Sequence, residues 1–78
     1  EINFEVEDKA GKMAELAERY ADGSIDQLDG ITVEYPDWWF NVRPSNTEPF
    51  LRMVLEAKTP EMLAEKRAEL EGILGTPV

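Results

Sequence analysis

The chain has 78 residues, 42% of them hydrophobic, and a net charge of −9 from 17 acidic and 8 basic side chains. This length and apolar content predict one small folded domain, and the acidic balance argues against nucleic acid and anionic membranes as partners. The chain contains no cysteine and no histidine, which rules out disulfides and thiolate zinc sites and removes the commonest general base, and no apolar run approaches the ~18 residues of a membrane span.

The beginning of the chain predicts a strand, a helix and a short extended segment. Apolar and polar residues alternate over 2–6, which is typical of a half-buried strand. Asp8 can cap a helix that ends near Gly23, and the apolar positions of this helix recur at helical spacing: Met13, Leu16, Ala17 and Tyr20. Residues 24–28 then lead to the Asp-Gly pair at 29–30, which is a strong hairpin signal.

The next two strands are expected to form a hairpin around Pro36 and Asp37. A two-residue turn there produces three apolar pairs on one face: Tyr35 with Trp38, Val33 with Phe40, and Ile31 with Val42. The opposite face then carries Thr32, Glu34, Trp39, Asn41 and Arg43. Alternation therefore predicts Trp38 in the core, and Trp39 is expected to cover the sheet surface rather than to stack on a sugar.

A further strand is predicted over residues 50–57, with the inward positions Leu51, Met53, Leu55 and Ala57. The expected register across the preceding loop pairs Val42 with Leu51. Arg43 then lies opposite Phe50, and Arg52 lies diagonally from Arg43 on the same solvent face of the sheet.

The second helix begins with three signals in a row. Thr59 can cap it, Pro60 suits its first position, and Glu61 adds an acid to its first turn. Gly75 is expected to end it. Its predicted inward stripe consists of Leu63, Arg67, Leu70, Ile73 and Leu74.

The order β-α-β-β-β-β-α predicts an α+β fold, a two-layer sandwich of an antiparallel sheet with two helices on one face. No repeat or linker interrupts the chain, so residues 1–78 are expected to form a single domain. Because the chain begins with EINFEV and no methionine, it is expected to be a piece of a longer protein. The loop at 43–49 is expected at a sheet edge, outside the core.

This loop, RPSNTEP, is the candidate binding site. It holds one arginine and several hydrogen-bonding side chains between two prolines, and two of the four arginines in the chain, Arg43 and Arg52, flank it. A guanidinium, hydroxyls, an amide and backbone N–H groups in a tight curve suit a phosphate monoester. The alternative is that the polar side chains satisfy the loop's own backbone while Arg43 pairs with Glu48 or Glu34.

Other chemistry is poorly supported. The carboxylates of EVEDK and EKRAELE are typical of solvated helix faces rather than of metal or acid–base sites. With no histidine or cysteine, no nucleophile–base pair is visible, so neither a catalytic residue nor a metal ligand is predicted in this chain.

The stretch RPSNTEPFLRMVLEA is similar to the C-terminal signature of the α-D-phosphohexomutases. Its SNTE form is most similar to that of the bacterial phosphomannomutases/phosphoglucomutases, whereas phosphoglucosamine mutases usually carry glycine where Asn46 stands. The opening EIN also resembles the segment in which those enzymes pass from the third domain into the fourth.

The resemblance implies the fourth domain of a cytoplasmic isomerase that interconverts hexose 1- and 6-phosphates through a bisphosphate intermediate. It also implies a fold similar to that of the TATA-binding protein, with the other three domains and a phosphosugar as partners. Mg²⁺ would be bound by a missing domain, and the isolated fragment would be inactive. By position, the implied phosphate ligands are Arg43, Ser45, Asn46 and Thr47, and Glu48 and Arg52 are possible loop supports. The rival hypothesis is a stand-alone α+β interaction module with no small-molecule ligand.

Overall fold

The computed structural model describes residues 2–78. Five strands and two helices follow the predicted order: β1 (Ile2–Glu5), α1 (Lys9–Arg19), β2 (Ser24–Asp26), β3 (Ile31–Glu34), β4 (Trp38–Pro44), β5 (Phe50–Ala57) and α2 (Pro60–Leu74). All strand pairs are antiparallel, and the strand order in the sheet is β1-β5-β4-β3-β2. The predicted α+β class is therefore confirmed, and β4 and β5 lie near the middle of the sheet.

The core lies between one face of the sheet and the two helices. Its largest fully buried side chains are Phe4, Leu16, Ile31, Phe40, Leu51, Met53 and Leu70. Burial of each such side chain stabilises the fold by about 1.5–3 kcal/mol relative to exposure. Trp38 stacks on Tyr35, with ring centroids 5.0 Å apart, and Tyr20 meets it edge-on at 5.8 Å. The prediction of a core position for Trp38 is confirmed.

The hairpin between β3 and β4 has the predicted register. Val33 pairs with Phe40 and Ile31 with Val42, and the Tyr35 N–H donates to the Trp38 carbonyl over 2.8 Å. The two-residue turn therefore fixes which side chains face the helices, and the open face carries the expected polar set.

The predicted register between β4 and β5 was wrong by two residues. Val42 pairs with Met53 rather than with Leu51, and the ladder continues through Pro44. The Ser45 N–H then donates to the Phe50 carbonyl over 2.9 Å, which closes a tighter loop than expected. A shift of two residues leaves every side chain on its predicted face, because side chains alternate along a strand.

Helix α1 begins as predicted and ends earlier than predicted. The Asp8 side chain accepts a hydrogen bond from the Gly11 N–H at 2.9 Å, which confirms the cap. The helix stops at Arg19, ahead of Gly23. A Cβ atom on Gly23 would lie 2.7 Å from Val33 Cγ1, so this glycine permits close packing against the sheet instead of ending the helix.

Helix α2 has the predicted ends and a different inward face. Thr59 accepts from the Met62 N–H at 3.1 Å, and Gly75 ends the helix with a φ of 108°. Leu70 and Leu74 are buried as predicted, and Ile73 is half-buried. Residues 2–78 contain no helix with the length and apolar character needed to cross a membrane.

Two predicted members of the inward stripe, Leu63 and Arg67, point to solvent. Arg67 instead donates to Glu71 over 2.8 Å. Met62 and Lys66 occupy the inward positions, and the Lys66 ammonium lies 4.9 Å from the centre of the Trp38 ring. The stripe follows i, i+4 steps and includes a lysine whose aliphatic stem is covered, which a search for apolar residues overlooks.

Candidate functional site

The loop between β4 and β5 lies at the end of two central strands. It was predicted at a sheet edge and outside the core. Within residues 2–78, the core cluster contains no residue of the loop, so the second part is confirmed, but the first part needs correction. β5 and β4 have neighbours on both sides, so the loop extends from the end of the sheet. Ser45 at its start is only 8% exposed, whereas the next three residues are exposed. The loop is therefore rooted at the margin of the core, and its tip is open to solvent.

Arg43 and Arg52 lie directly opposite each other on the open face of the sheet. The predicted diagonal arrangement was wrong, because the register shift brings Arg52 level with Arg43. Like charges in opposed positions are unfavourable. The Arg43 Nη1 atom lies 3.5 Å from the Asp29 carboxylate, and within residues 2–78 no acidic group lies within 4.0 Å of the Arg52 guanidinium. The pair makes a local positive region on an acidic protein.

A cleft of about 530 Å³ lies between this loop and the β2–β3 turn. The turn contributes Leu28, Asp29 and Gly30 to one wall. The other wall contains all four predicted phosphate ligands and one predicted support residue: Arg43, Ser45, Asn46, Thr47 and Arg52. Glu48 does not line the cleft within the described part of the chain. Folding thus collects the predicted residues around one solvent-open space.

Most hydrogen-bond donors of the loop have no acceptor within residues 2–78, the exception being the Ser45 N–H. Considering residues 2–78, the side chains of Ser45, Asn46 and Thr47 form no hydrogen bond with the rest of the protein. The backbone N–H groups of residues 46–48 likewise have no acceptor in that part of the chain. The alternative of a self-satisfied loop is not observed, and Arg43 pairs with Asp29 rather than with Glu48 or Glu34.

Three carbonyl groups of the loop accept hydrogen bonds from Lys9, the first residue of α1, and from Val6, in the segment that joins β1 to α1. The Lys9 ammonium donates to the carbonyl oxygens of Ser45 at 2.9 Å and Glu48 at 3.1 Å. The Val6 N–H donates to the Pro49 carbonyl at 2.8 Å. The contact that Glu48 makes with Lys9 thus involves its backbone carbonyl and not its carboxylate. The sequence reasoning missed Lys9, because no local pattern links a residue to a partner 36 positions away.

The other end of the open face carries Trp39. Trp39 is half-buried, and its indole N–H donates to the Glu56 carboxylate across the strand pair at 3.0 Å. The expectation that Trp39 covers the sheet surface is consistent with this contact.

The Mg²⁺ that the resemblance implies was expected in another domain of the longer protein. Within residues 2–78, no group of three or more His, Cys, Asp and Glu side chains is arranged to hold a metal ion. The acidic residue in the cleft, Asp29, lies beside Arg43 and lacks a second carboxylate. No metal-dependent step is therefore assigned to this chain.

Comparison with known proteins identifies the family to which the chain belongs. The family described as phosphoglucomutase/phosphomannomutase, C-terminal domain, matches residues 1–73. A phosphomannomutase of Methanocaldococcus jannaschii is 42% identical over 74 residues, which cover 95% of this chain and 16% of the relative. A protein of Xanthomonas campestris pv. campestris named "Phosphohexose mutases" is 41% identical over 71 residues, which cover 88% of this chain and 16% of the relative.

A probable phosphoglucosamine mutase of Methanopyrus kandleri is similar as well, with 39% identity over 70 residues. That match covers 90% of this chain and 16% of the relative. The chain thus spans about 16% of the length of these relatives. The match extends over nearly the whole chain and includes the loop that lines the cleft, and the chain belongs to the phosphoglucomutase/phosphomannomutase family as its C-terminal domain.

Proposed function

We propose that this domain binds the phosphate group of a hexose phosphate in the cleft, through Arg43, Ser45, Asn46 and Thr47. In this proposal residues 1–78 form one of four domains of a cytoplasmic mutase. The enzyme interconverts hexose 1-phosphate and hexose 6-phosphate through a bisphosphate intermediate. The names of the relatives, which include phosphomannomutase and phosphoglucosamine mutase, support the substrate class.

The observation that carries the proposal is the separation of donors from acceptors in the loop. The cleft is lined by two guanidinium groups, two hydroxyl side chains and an amide side chain, and by one carboxylate, that of Asp29, which lies beside Arg43. The carbonyl oxygens of Ser45 and Glu48, which would repel an anion, accept hydrogen bonds from Lys9. Guanidinium and backbone N–H groups form short, strong hydrogen bonds with phosphate oxygens. A cleft built in this way favours a compact anion even though the whole chain is acidic.

The reaction explains why such a site does no chemistry. A mutase that moves a phosphate between two ends of a hexose binds the sugar in two opposite orientations. The phosphate that is not being transferred then needs a fixed anchor. Binding energy at this remote anchor can orient the reacting hydroxyl group. A guanidinium with hydroxyl and amide donors is sufficient for this role.

Arg43 is assigned the central contact. Its planar guanidinium can donate two parallel hydrogen bonds to one phosphate, which a lysine cannot do. Arg52, directly opposite, adds a second positive charge within reach of the same anion. Phosphate binding also relieves the repulsion between the two arginines, so the bound anion is stabilised by both.

The isolated chain is expected to bind phosphate weakly, with a dissociation constant of about 1 mM or higher, because the chain has a net negative charge and the cleft is open to solvent. It is expected to have no mutase activity. Turnover by the purified fragment would overturn this division of roles among the domains.

A nuclear magnetic resonance titration of the ¹⁵N-labelled chain with glucose 6-phosphate tests the proposal, with glucose as the control. Amide shifts that saturate and concentrate at residues 43–48 and 52 are expected with the phosphorylated sugar alone. Equal shifts with glucose would indicate contact with the sugar ring instead. An unchanged spectrum at high ligand concentration would favour the stand-alone interaction module.

A further inference from the structure

The side chain of Lys9 connects the start of α1 to the loop between β4 and β5, and it does not line the cleft itself within the described residues. Its ammonium donates to two loop carbonyls, those of Ser45 at 2.9 Å and Glu48 at 3.1 Å. These two carbonyls belong to the first and fourth residues of the five-residue connection between β4 and β5. One side chain therefore bridges the first and fourth residues of this connection.

The position of Lys9 does not benefit the stability of its own helix. It is the first residue of α1, where the partial positive charge of the helix N-terminus disfavours a cation. Within residues 2–78, its ammonium also forms no ion pair with a carboxylate. The two loop carbonyls are thus its hydrogen-bond acceptors, and they supply the reason for its position.

These contacts restrain the loop through its backbone carbonyl groups. Together with the Val6 N–H, which donates to the Pro49 carbonyl at 2.8 Å, Lys9 engages three of the five carbonyl groups of the connection. Hydrogen bonds from an ammonium group are stronger than those between neutral groups. Lys9 does not line the cleft among the described residues, so its effect on a bound anion passes through the loop.

We infer that Lys9 is a positioning residue for phosphate binding: it holds residues 45–48 in the conformation that presents their donors to the anion. This inference rests on the proposed function of the cleft. Lys9 engages the Ser45 and Glu48 carbonyls, which would otherwise be free to turn toward the ligand, and it reduces the conformational freedom that the loop loses on binding.

The test compares three variants of the chain. Lys9→Met keeps the aliphatic stem and removes the charge and donors, and Lys9→Arg keeps the charge and donors. Lys58→Met is the matched control, because Lys58 pairs with Asp37 at the opposite end of the sheet and its removal changes the net charge equally. Affinity is measured by nuclear magnetic resonance titration with inorganic phosphate and with glucose 6-phosphate, at low and high salt.

The dissociation constant of Lys9→Met is expected to rise about tenfold, the size of one hydrogen bond to a charged group. That rise should persist at high salt, whereas a purely long-range charge effect would be screened. Lys9→Arg should recover most of the affinity, and Lys58→Met should stay within about twofold of the wild type. In the unliganded chain, backbone order parameters at 46–48 should fall below about 0.6 in Lys9→Met only.

The outcomes separate this inference from the proposed function. If the wild type binds phosphate and Lys9→Met binds it equally well, the role of Lys9 is refuted and the proposed function stands. If the wild type binds no phosphate while the order parameters still fall in Lys9→Met, the proposed function is refuted and Lys9 is only a structural support. Should Lys9→Met fail to fold, Lys9→Gln replaces it, and the same readings apply.

Discussion

Arg43 and Arg52 occupy directly opposed positions on the two central strands of the sheet. Opposed residues in an antiparallel pair have Cα atoms about 4.5–5.5 Å apart, so two guanidinium groups begin from adjacent backbone positions. A single carboxylate, Asp29, lies 3.5 Å from Arg43 and is 81% exposed. The arrangement is poorly compensated within residues 2–78, and this is expected of a site that is completed by an anionic ligand.

The arginine pair should lower stability in the absence of ligand. Arg52→Gln is expected to raise the free energy of unfolding by about 0.2–1 kcal/mol at low salt, because it removes an opposed like charge. The gain should shrink at high salt, where the repulsion is screened. Urea denaturation of the chain measures both effects.

Arg67→Gln is the matched control for Arg52→Gln. Arg67 donates to Glu71 one turn away on α2, so the same substitution there should lower the free energy of unfolding by about 0.3–0.5 kcal/mol. Two arginine substitutions with the same change in net charge thus have opposite expected signs. A loss of stability in Arg52→Gln would contradict the repulsion argument.

Arg43 should affect function far more than stability. In the full-length mutase, Arg43→Ala is expected to lower kcat/KM by about 10–100-fold, the scale of one or two charge-assisted hydrogen bonds. Arg43→Lys should fall between Arg43→Ala and the wild type, because it keeps the charge and loses the planar fork. Melting of the isolated chain should change little, since substitutions on the solvent face usually cost within about 0.5 kcal/mol. Wild-type kinetics in Arg43→Ala would exclude the anchor role.

Local signals explain why most of the fold could be predicted. Asp8 and Thr59 cap the two helices as expected, because a capping side chain acts within three residues of its own position. The β3–β4 hairpin was also predicted correctly, since a two-residue turn leaves one register that keeps all apolar side chains on one face.

The features that were missed depend on tertiary contacts. Alternation cannot distinguish registers that differ by two residues, so the opposition of Arg43 and Arg52 required the structure. Lys66 lies on the inward face of α2, where its ammonium is 4.9 Å from the centre of the Trp38 ring and is attracted to the ring face. The cleft residues of the 43–49 loop were found from their chemistry, whereas Lys9 contacts the loop only after folding.

Asp29 should compete with phosphate for Arg43. Its carboxylate lies 3.5 Å from the guanidinium in the same cleft. Asp29→Asn is therefore expected to lower the dissociation constant for inorganic phosphate by about two- to fivefold, the size of an exposed ion pair. Titration followed by nuclear magnetic resonance measures the change.

Asp37→Asn is the control for the Asp29 experiment. Asp37 pairs with Lys58 at 3.2 Å in the β3–β4 turn, at the opposite end of the sheet, and its substitution changes the net charge by the same amount. Phosphate affinity should remain within about 1.5-fold of the wild type, because screening limits charge effects to about 10 Å. Equal gains in both variants would mean that net charge, and not the Asp29 contact, controls affinity.

Gly30 and Gly72 should respond oppositely to the same substitution. Gly30 has a φ of 72°, and a Cβ atom there would lie 2.3 Å from the Val42 carbonyl oxygen. Gly30→Ala should therefore lower the free energy of unfolding by about 2 kcal/mol or more. Gly72 lies within α2 with no atom in the way, and Gly72→Ala should raise it by about 0.5–1 kcal/mol. Thermal melting distinguishes the two. Destabilisation by both would show that α2 cannot accept a side chain at position 72.

At alkaline pH the protein should unfold as its two tyrosines ionise. Burial, followed by a hydrogen bond to Glu69, raises the pKa of Tyr20, and burial with a bond to Asp22 does the same for the pKa of Tyr35. The ordinary pKa of both tyrosines is 10.0. Their protonated form therefore contributes its full share to the free energy of unfolding below pH 10, and this share is lost as the pH rises further. Tyrosinate absorbance and loss of near-ultraviolet circular dichroism should therefore appear in one cooperative transition. Gradual ionisation near pH 10, with the dichroism of the native fold intact, would contradict the raised values.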